Sequence, residues 1–387
     1  MKKSAKHLVS IAALTLATGF AGQALATGMP SQAEMWQIIQ RQQQEIESLK
    51  GQVTETQTEV QAVKEAAPVA GPNWSDKVSI GGVVEVEASH GDDGYGGPTA
   101  SDIAVATVEL SIDAQVNDWV NANVVLLYED GATLDLDSAT ITIGNAERNP
   151  MFVTAGKTAV PFGNFSTNLV SDPVTLELGE TVEDIVQVGF ESNGINGSVY
   201  VFNGDVDKNG DDNVVAQFGA NLGYSMETDS FGLEAGVSYI SSLDDGDLVA
   251  DTHGDVAVDE RVGAWSVYGI ATIGQFQLVG EYLAAAEEFD AAVTNLAGTK
   301  PEAWNVELAY SLELSGMETV LAVGYQGADD AAALGIPETK WLAAASVGIF
   351  ENTSLAFEFA HSEDFEVAEG GTGDDMQTST LQLGVEF

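Results

Sequence analysis

Cysteine is absent from this sequence, and basic residues are scarce. Its 387 residues include 13 Lys and Arg against 60 Asp and Glu, a formal net charge of −47. Without Cys there are neither disulfides nor thiolate metal sites. Nucleic-acid binding needs positive charge to neutralise phosphates, so we expect no nucleic-acid partner. After the N-terminus no run approaches the roughly 20 apolar residues of a membrane helix, which excludes a helical membrane protein.

The N-terminus has the pattern of a secretory signal. Lys2, Lys3 and Lys6 precede an apolar stretch that ends near Phe20, and Ala24-Leu25-Ala26 follows. A basic region, a short apolar region and an A-x-A site predict cleavage after residue 26.

A heptad repeat follows the signal. Apolar residues recur with a period of 3.5 residues, interrupted by Gln42 and Thr56, at Met35, Ile39, Ile46, Leu49, Val53, Val60 and Val63. This repeat predicts a coiled coil and therefore self-association, for which we favour a homotrimer over a dimer. The alternative is a single amphipathic helix packed on the mouth of the following domain. Pro and Gly then indicate a linker over 67–76.

From Lys77 onward the hydrophobic period changes to two. In the segment 302–314, Trp304, Val306 and Leu308 alternate with polar residues such as Asn305 and Glu307. Sixteen such segments predict an all-β domain, with strands near 77–89, 102–116, 119–130, 136–145, 151–160, 185–191, 195–203, 213–226, 231–241, 262–273, 275–285, 302–314, 317–326, 340–350, 353–362 and 377–387.

The connections between these strands distinguish a membrane barrel from a soluble sandwich. Short turns such as 117–118 and 315–316 alternate with longer Asp- and Gly-rich connections such as 90–101, 161–184 and 242–261. Alternating turns and loops with an even strand number are typical of a transmembrane antiparallel β-barrel. We therefore predict a signal peptide at 1–26, a periplasmic coiled-coil segment at 27–66, a linker at 67–76 and an outer-membrane β-barrel at 77–387.

Aromatic residues fall at both ends of the predicted strands. Two belts at lipid–water boundaries are expected, with Tyr128, Tyr282, Trp304, Tyr325 and Trp341 at external ends and Trp119, Phe276 and Phe387 at periplasmic ends. The last strand, which ends in Phe387, resembles the signal that the barrel-insertion machinery recognises. The lipid bilayer and this machinery are thus expected partners.

Sixteen strands enclose a lumen too wide for side chains to fill, so a water-filled channel is expected. The inward positions are acidic, which indicates either simple solvation or a field that concentrates cations. The lumen carboxylates selected on this basis are Glu85, Glu87, Glu109, Asp113, Glu281 and Glu307.

The third external connection, 161–184, is predicted to fold inward and narrow the pore. Pro161 and Gly163 set its turns, while Phe162, Phe165 and Leu169 are suited to pin it to the wall. Lys157 is either a structural counter-ion or a contact for the cargo. The acidic residues assigned to this constriction are Asp172, Glu177 and Glu180.

One external loop resembles half of a calcium site. Asp205, Asp207, Asn209 and Asp211 have the spacing of the first ligands of an EF-hand loop, but Ala216 stands where the bidentate Glu is needed. A Ca²⁺ site of lower affinity and a solvated loop both remain open, and no other cofactor is expected. No G-x-S-x-G or H-E-x-x-H motif occurs, so we do not expect an enzyme.

Several of these segments carry a family resemblance. The heptads, the strand that begins at Val78, the Gly156-Lys157 to Pro161-Phe162-Gly163 run and the Asp172-Pro173 to Thr181 run resemble the LbtU-type siderophore porins. This implies uptake of ferric siderophores across the outer membrane. The residues before Lys77 are too few for a plug domain, so we expect passive diffusion. The alternatives are a general cation-selective or sugar porin and an adhesin or tether.

Overall fold

The computed structural model describes residues 77–129, 131–210, 214–228, 230–253, 257–289 and 296–387. The predicted signal, coiled coil and linker lie outside these residues. All described residues belong to a compact unit, Asn73–Phe387.

The sixteen predicted strands are confirmed. They are β1 Val78–Asp92, β2 Thr99–Asn117, β3 Val120–Glu129, β4 Asp135–Asn145, β5 Asn149–Ala159, β6 Val182–Ser192, β7 Ile195–Asn203, β8 Gln217–Thr228, β9 Phe231–Ile240, β10 Ala264–Ile273, β11 Phe276–Ala285, β12 Glu302–Leu314, β13 Met317–Asp329, β14 Thr339–Phe350, β15 Thr353–Glu363 and β16 Asp375–Glu386.

Each strand pairs with its neighbours in the sequence, and β1 pairs with β16 to close an antiparallel barrel. The closure leaves every strand with two partners, which satisfies the backbone groups where no water is present. Where the loops are described, they contain two short α-helices: α1 is Val174–Gly179 and α2 is Asp247–His253. Within the described part of the chain, no helix combines the length and hydrophobicity needed to cross a membrane.

Several predicted boundaries were wrong by a few residues, and two of them concern the external connections discussed below. The first external connection spans 93–98 rather than 90–101, because β1 and β2 continue to pair as far as Asp92 and Thr99. The third connection spans 160–181 rather than 161–184, because β6 begins at Val182. In both places polar residues at a strand end still take part in the ladder.

The outer surface of the barrel is apolar. Exposed outward side chains include Val323, Leu308 and Phe357, at 53%, 44% and 49% exposure. Rings lie at the external ends: Tyr325 stacks on Trp341 with centroids 3.9 Å apart, and Trp304 meets Tyr325 at 4.6 Å. An apolar band with amphipathic rings at its border is the surface that a bilayer requires.

We expect Val323→Arg to destabilise the barrel by about 2–4 kcal/mol, because it places a charge on the lipid-facing surface. The control is Asn121→Arg. Asn121 of β3 pairs with Thr142 of β4, and the side chains of this pair face the wide lumen. Denaturant unfolding in lipid vesicles measures both variants. Equal stability of the two would contradict the assignment of the faces.

Candidate functional site

The connection 160–181, called here the inward loop, lies inside the barrel. Its backbone donates hydrogen bonds to inward side chains of β9, β11, β12, β13 and β15. These strands lie far along the sheet from β5 and β6, where the loop begins and ends. The loop therefore crosses the lumen.

Three glutamates hold the loop, and we call them the anchor carboxylates: Glu281 of β11, Glu307 of β12 and Glu358 of β15. Their residues are buried, with 6%, 0% and 1% exposure. Burial of a carboxylate is costly unless hydrogen bonds compensate it. The loop supplies these bonds.

The contacts repeat every three residues along the loop. Glu281 accepts from the backbone N–H groups of Asn164 and Phe165, both at 2.9 Å. Glu307 accepts from the N–H of Asn168 at 2.9 Å and from the Thr167 hydroxyl at 2.7 Å.

The third anchor, Glu358, contacts the loop three residues after the second. Glu358 accepts from the N–H groups of Val170 at 2.8 Å and Ser171 at 3.2 Å. Charge-assisted bonds from consecutive N–H groups are stronger than neutral ones. The segment 164–171 is thus fixed at three points.

Two neutral side chains and apolar packing complete the attachment. Ser238 accepts from the N–H of Gly163 at 2.9 Å, and Gln326 accepts from that of Val174 at 3.0 Å, where α1 begins. Phe162 is 2% exposed. The predicted pinning residues Phe165 and Leu169 lie against glycines, where a Cβ at Gly163 or Gly324 would collide with them. Gly163 also adopts φ +75°, a left-handed value that favours glycine.

The external loops fill one side of the mouth. Phe162, Val174 and Leu178 join a buried cluster with residues such as Phe202 of β7 and Leu243 after β9. In the described part of the chain, this cluster includes no residue of β1–β4 or β16. Beside β1–β4 there is space open to water, a cavity lined by residues such as Asp113, Asn121 and Thr142.

The predicted lumen carboxylates fall into two groups. Glu281 and Glu307 face inward but are covered by the inward loop. The other four, called the open-wall carboxylates, lie on β1 and β2 and are partly or fully exposed: Glu85, Glu87, Glu109 and Asp113. Only this second group faces the open part of the lumen.

The inward loop presents its own acids, Asp172, Glu177 and Glu180, called the acidic edge. Burial raises the pKa of Asp172 and of Glu177, and the nearby Lys340 ammonium partly offsets this rise. Burial raises the pKa of Glu180 to about 7, with further contributions from Asp247, Asp172, Glu129 and Asp137. Glu180 and Glu129 of β3 line the same cavity, so this end of the edge faces β3.

Lys157 lies at the outer mouth rather than at the crossing loop. Its ammonium is 3.9 Å from a carboxylate oxygen of Asp135. Both line a cavity of about 430 Å³ together with Glu129, Glu180, Asp205 and Asp247. Lys157 therefore lies in an acidic vestibule, and its role as a counter-ion or as a contact for the cargo stays a prediction. Pro161 lies beside Phe162 at the start of the inward loop and, like it, is partly or fully buried.

The residues of the calcium hypothesis are only partly described, since Asp211 lies outside the described residues. Asp205 donates its N–H to Glu183 at 3.2 Å, and the Asn209 side-chain amide donates to Asp259 at 2.8 Å. Asp207 accepts the N–H of Val258 through its carbonyl. Where residues are described, no group of three or more acids or histidines is arranged to hold a metal. The calcium site stays a prediction.

Sequence reasoning placed Glu358 among the inward acids of the wall but did not select it, Gln326 or Lys340 as a contact of the loop. A usable signal existed for Glu358, because small inward residues flank it at Ala356 and Ala360. Because alanine side chains are small, they leave room on the inner wall for a chain segment that contacts the carboxylate between them. Gln326 and Lys340 carry no such signal.

Comparison with known proteins gives distant relatives. No protein-family model matches the chain. A UPF0422 protein of Coxiella burnetii is 28% identical over 75% of this chain and 65% of its own length. A UPF0422 protein of Legionella pneumophila strain Lens is 26% identical over 80% of this chain and 66% of its own length. The chain thus spans slightly less than two thirds of these relatives.

Solved structures share the fold. The outer-membrane channel DcaP of Acinetobacter baumannii superposes with a TM-score of 0.55 at 14% identity, covering 82% of this chain and all of that one. An anion-selective porin of Comamonas acidovorans gives 0.56 at 12%, covering 80% and 99%. OmpT of Vibrio cholerae in its trimer form gives 0.52 at 15%, covering 80% and 99%. The chain has the fold of outer-membrane porins.

We expect Glu307→Ala to increase single-channel conductance and current noise, because it leaves donors of Thr167 and Asn168 without an acceptor. Each unsatisfied buried donor costs about 1–3 kcal/mol, which loosens the loop. Bilayer recordings measure this, with Glu109→Ala of the open wall as control. Equal conductance changes in both variants would show that Glu307 does not anchor the loop.

Proposed function

We propose that the protein is an outer-membrane porin through which small solutes diffuse passively, without a plug, and with a preference for cations. The observation that carries this proposal is that acids line both sides of the open path. The open-wall carboxylates lie on β1 and β2, and the acidic edge of the inward loop faces the same space. The proposal assigns no catalytic residue.

The electrostatic reasoning is direct. A water-filled path between low-dielectric walls focuses the field of its fixed charges, which concentrates cations and repels anions. The same fold occurs in a porin described as anion-selective, so the fold does not determine the sign. The lining side chains do, and here they are acidic.

We expect reversal potentials in a KCl gradient to show cation preference. The preference should shrink with salt, because the Debye length falls from about 10 Å at 0.1 M to about 3 Å at 1 M. It should grow as the pH rises through 7, since the pKa of Glu180 is raised to about 7 and the group gains charge there. Neutralising Glu85, Glu109 and Asp113 together should reduce it.

The control for this triple variant neutralises three exposed acids of external loops, Glu260, Glu287 and Glu366. Anion preference of the native channel would contradict the proposal and would favour an anionic ferric siderophore as cargo.

Ferric-siderophore uptake is the finer form of this proposal, and it rests on the family resemblance alone. The lining of one cavity in the barrel supports a neutral, hydroxyl-rich cargo such as a sugar. A cavity of about 350 Å³ is lined by Asp113, Asn121, Asn123, Thr140 and Thr142. Such amide and hydroxyl groups both donate and accept hydrogen bonds. Solute uptake into proteoliposomes compares the cargoes, and absence of conductance would favour an adhesin or tether.

We also propose a homotrimer, which the heptads of residues 35–63 support. The barrel supplies a second argument. On the outward face, His361 of β15 pairs with Trp341 and with Gln377 of β16, and His90 of β1 pairs with Ser379 of β16, two residues further along that strand. Polar side chains at this level suit a contact with a second copy better than lipid.

We expect deletion of residues 32–66 to leave a folded barrel but to weaken the oligomer, because the heptads are removed and the barrel strands are not. Native gels and heat-modified mobility report the two properties separately. An oligomer of unchanged stability would count against a role of the heptads in assembly.

A further inference from the structure

Phe152 is an aromatic side chain on the inner face of β5. Its neighbours Met151 and Val153 face outward, with 47% and 40% exposure, whereas Phe152 is half-buried. Successive side chains of a strand point to opposite faces, so Phe152 faces the lumen. It pairs with Gly144 of β4 and Gly189 of β6, close to the short turn that joins β4 to β5. Short turns mark the end of the barrel that we assign to the periplasm.

The ring of Phe152 lies flat on the wall. A Cβ added at Gly189 would project into the lumen and would lie 2.3, 2.7 and 2.9 Å from the ring atoms Cζ, Cε1 and Cε2. These similar distances place the Cβ under the face of the ring rather than beyond its edge. One face of the ring therefore covers the backbone of Gly189, and the opposite face points to the lumen.

Other inward rings cover glycines, but they are covered in turn. Tyr200 lies over Gly219 and is only 2% exposed. Tyr268 lies over Gly236, and its hydroxyl is hydrogen-bonded to Asn164 of the inward loop. The inward loop makes its anchoring contacts with β9, β11, β12, β13 and β15, and Phe152 of β5 is not among them. The free face of Phe152 is thus accessible to a solute.

Hydroxyl and amide groups adjoin this ring. Thr154 follows Phe152 by two residues on the same face, about 7 Å further along the strand. The hydroxyl of Thr154 is 2.9 Å from that of Thr142 on β4. Thr142, Asn121 and Asn123 line the cavity of about 350 Å³ on the inner wall. An aromatic face and several neutral hydrogen-bonding groups therefore lie within reach of one small solute.

This combination matches the chemistry of a sugar ring. A pyranose presents C–H groups on its faces and hydroxyl groups around its rim. An aromatic face contacts the C–H groups, and hydroxyl and amide side chains both donate to and accept from the rim. Apolar contact area with a few polar groups that fix orientation is the general composition of a ligand site. An inorganic cation would use neither the ring nor the amide donors.

We propose that Phe152 is the stacking platform of a sugar subsite in the lumen, where Thr142 and Asn121 bind the hydroxyls of a neutral pyranose. The inference rests on the proposed porin and names a class of solute that the pore binds during passage. A neutral sugar carries no charge, so its binding is independent of the cation preference of the channel.

The test is the block of ion current by maltotriose in planar bilayers. In the native channel the current should fall along a saturating curve, which gives a half-saturating concentration. Sorbitol has the hydroxyls of a sugar but no ring, and it should give no saturable block. Phe152→Leu keeps an apolar cover over Gly189 but removes the aromatic face, so it should raise the half-saturating concentration roughly three- to tenfold. Phe152→Tyr should keep the native value.

Two further variants separate binding from packing. Thr142→Val removes a hydroxyl at nearly constant shape and should raise the half-saturating concentration roughly threefold. Phe357→Leu, on the outward face at 49% exposure, is the matched control and should leave it unchanged. Heat-modified mobility must show that every variant is folded.

The outcomes distinguish the two proposals. A conducting native channel that maltotriose does not block, an equal block by sorbitol, or an unchanged half-saturating concentration in Phe152→Leu overturns this inference alone. A native protein without conductance overturns the proposed function.

Discussion

The inward loop depends on one interaction, the hydrogen bond from its backbone N–H groups to buried carboxylates. A chain segment that crosses a lumen brings donors that cannot all reach water. Glu281, Glu307 and Glu358 supply negative acceptors at steps of three residues. The carboxylates in turn depend on the loop, because a buried carboxylate without hydrogen-bond donors is energetically costly. Loop and wall are thus mutually required.

This attachment divides the lumen by chemistry. On the attached side, acids serve as acceptors and the external loops pack apolar residues such as Phe162 and Leu178. On the open side, Glu85, Glu87 and Glu109 remain partly exposed. Acidic residues therefore have two roles: those under the loop accept its hydrogen bonds, and those on the open side face the lumen. In the proposed channel, a solute would meet the second group and the acidic edge, so the charge it experiences differs from the total charge of the inner wall.

The strands could be predicted because alternation and turns are local. Trp304 and Glu307 lie on opposite faces whatever the rest of the chain does. The attachment of Ser171 to Glu358 joins residues 187 positions apart, and no local pattern encodes it. The same holds for the hydrogen bond from Val174 to Gln326, which joins residues 152 positions apart. Glu281 and Glu307 were found as inward acids, but their burial depends on a loop whose path the sequence does not reveal.

The central claim is that the inward loop rests on the wall in the open channel. The absence of native Cys permits a direct test with Leu169→Cys and Gly324→Cys, which replace two residues in contact. A short thiol crosslinker should join them in membranes, and conductance should stay at the value of the uncrosslinked variant. Failure to crosslink, or a crosslink that closes the channel, would contradict the account.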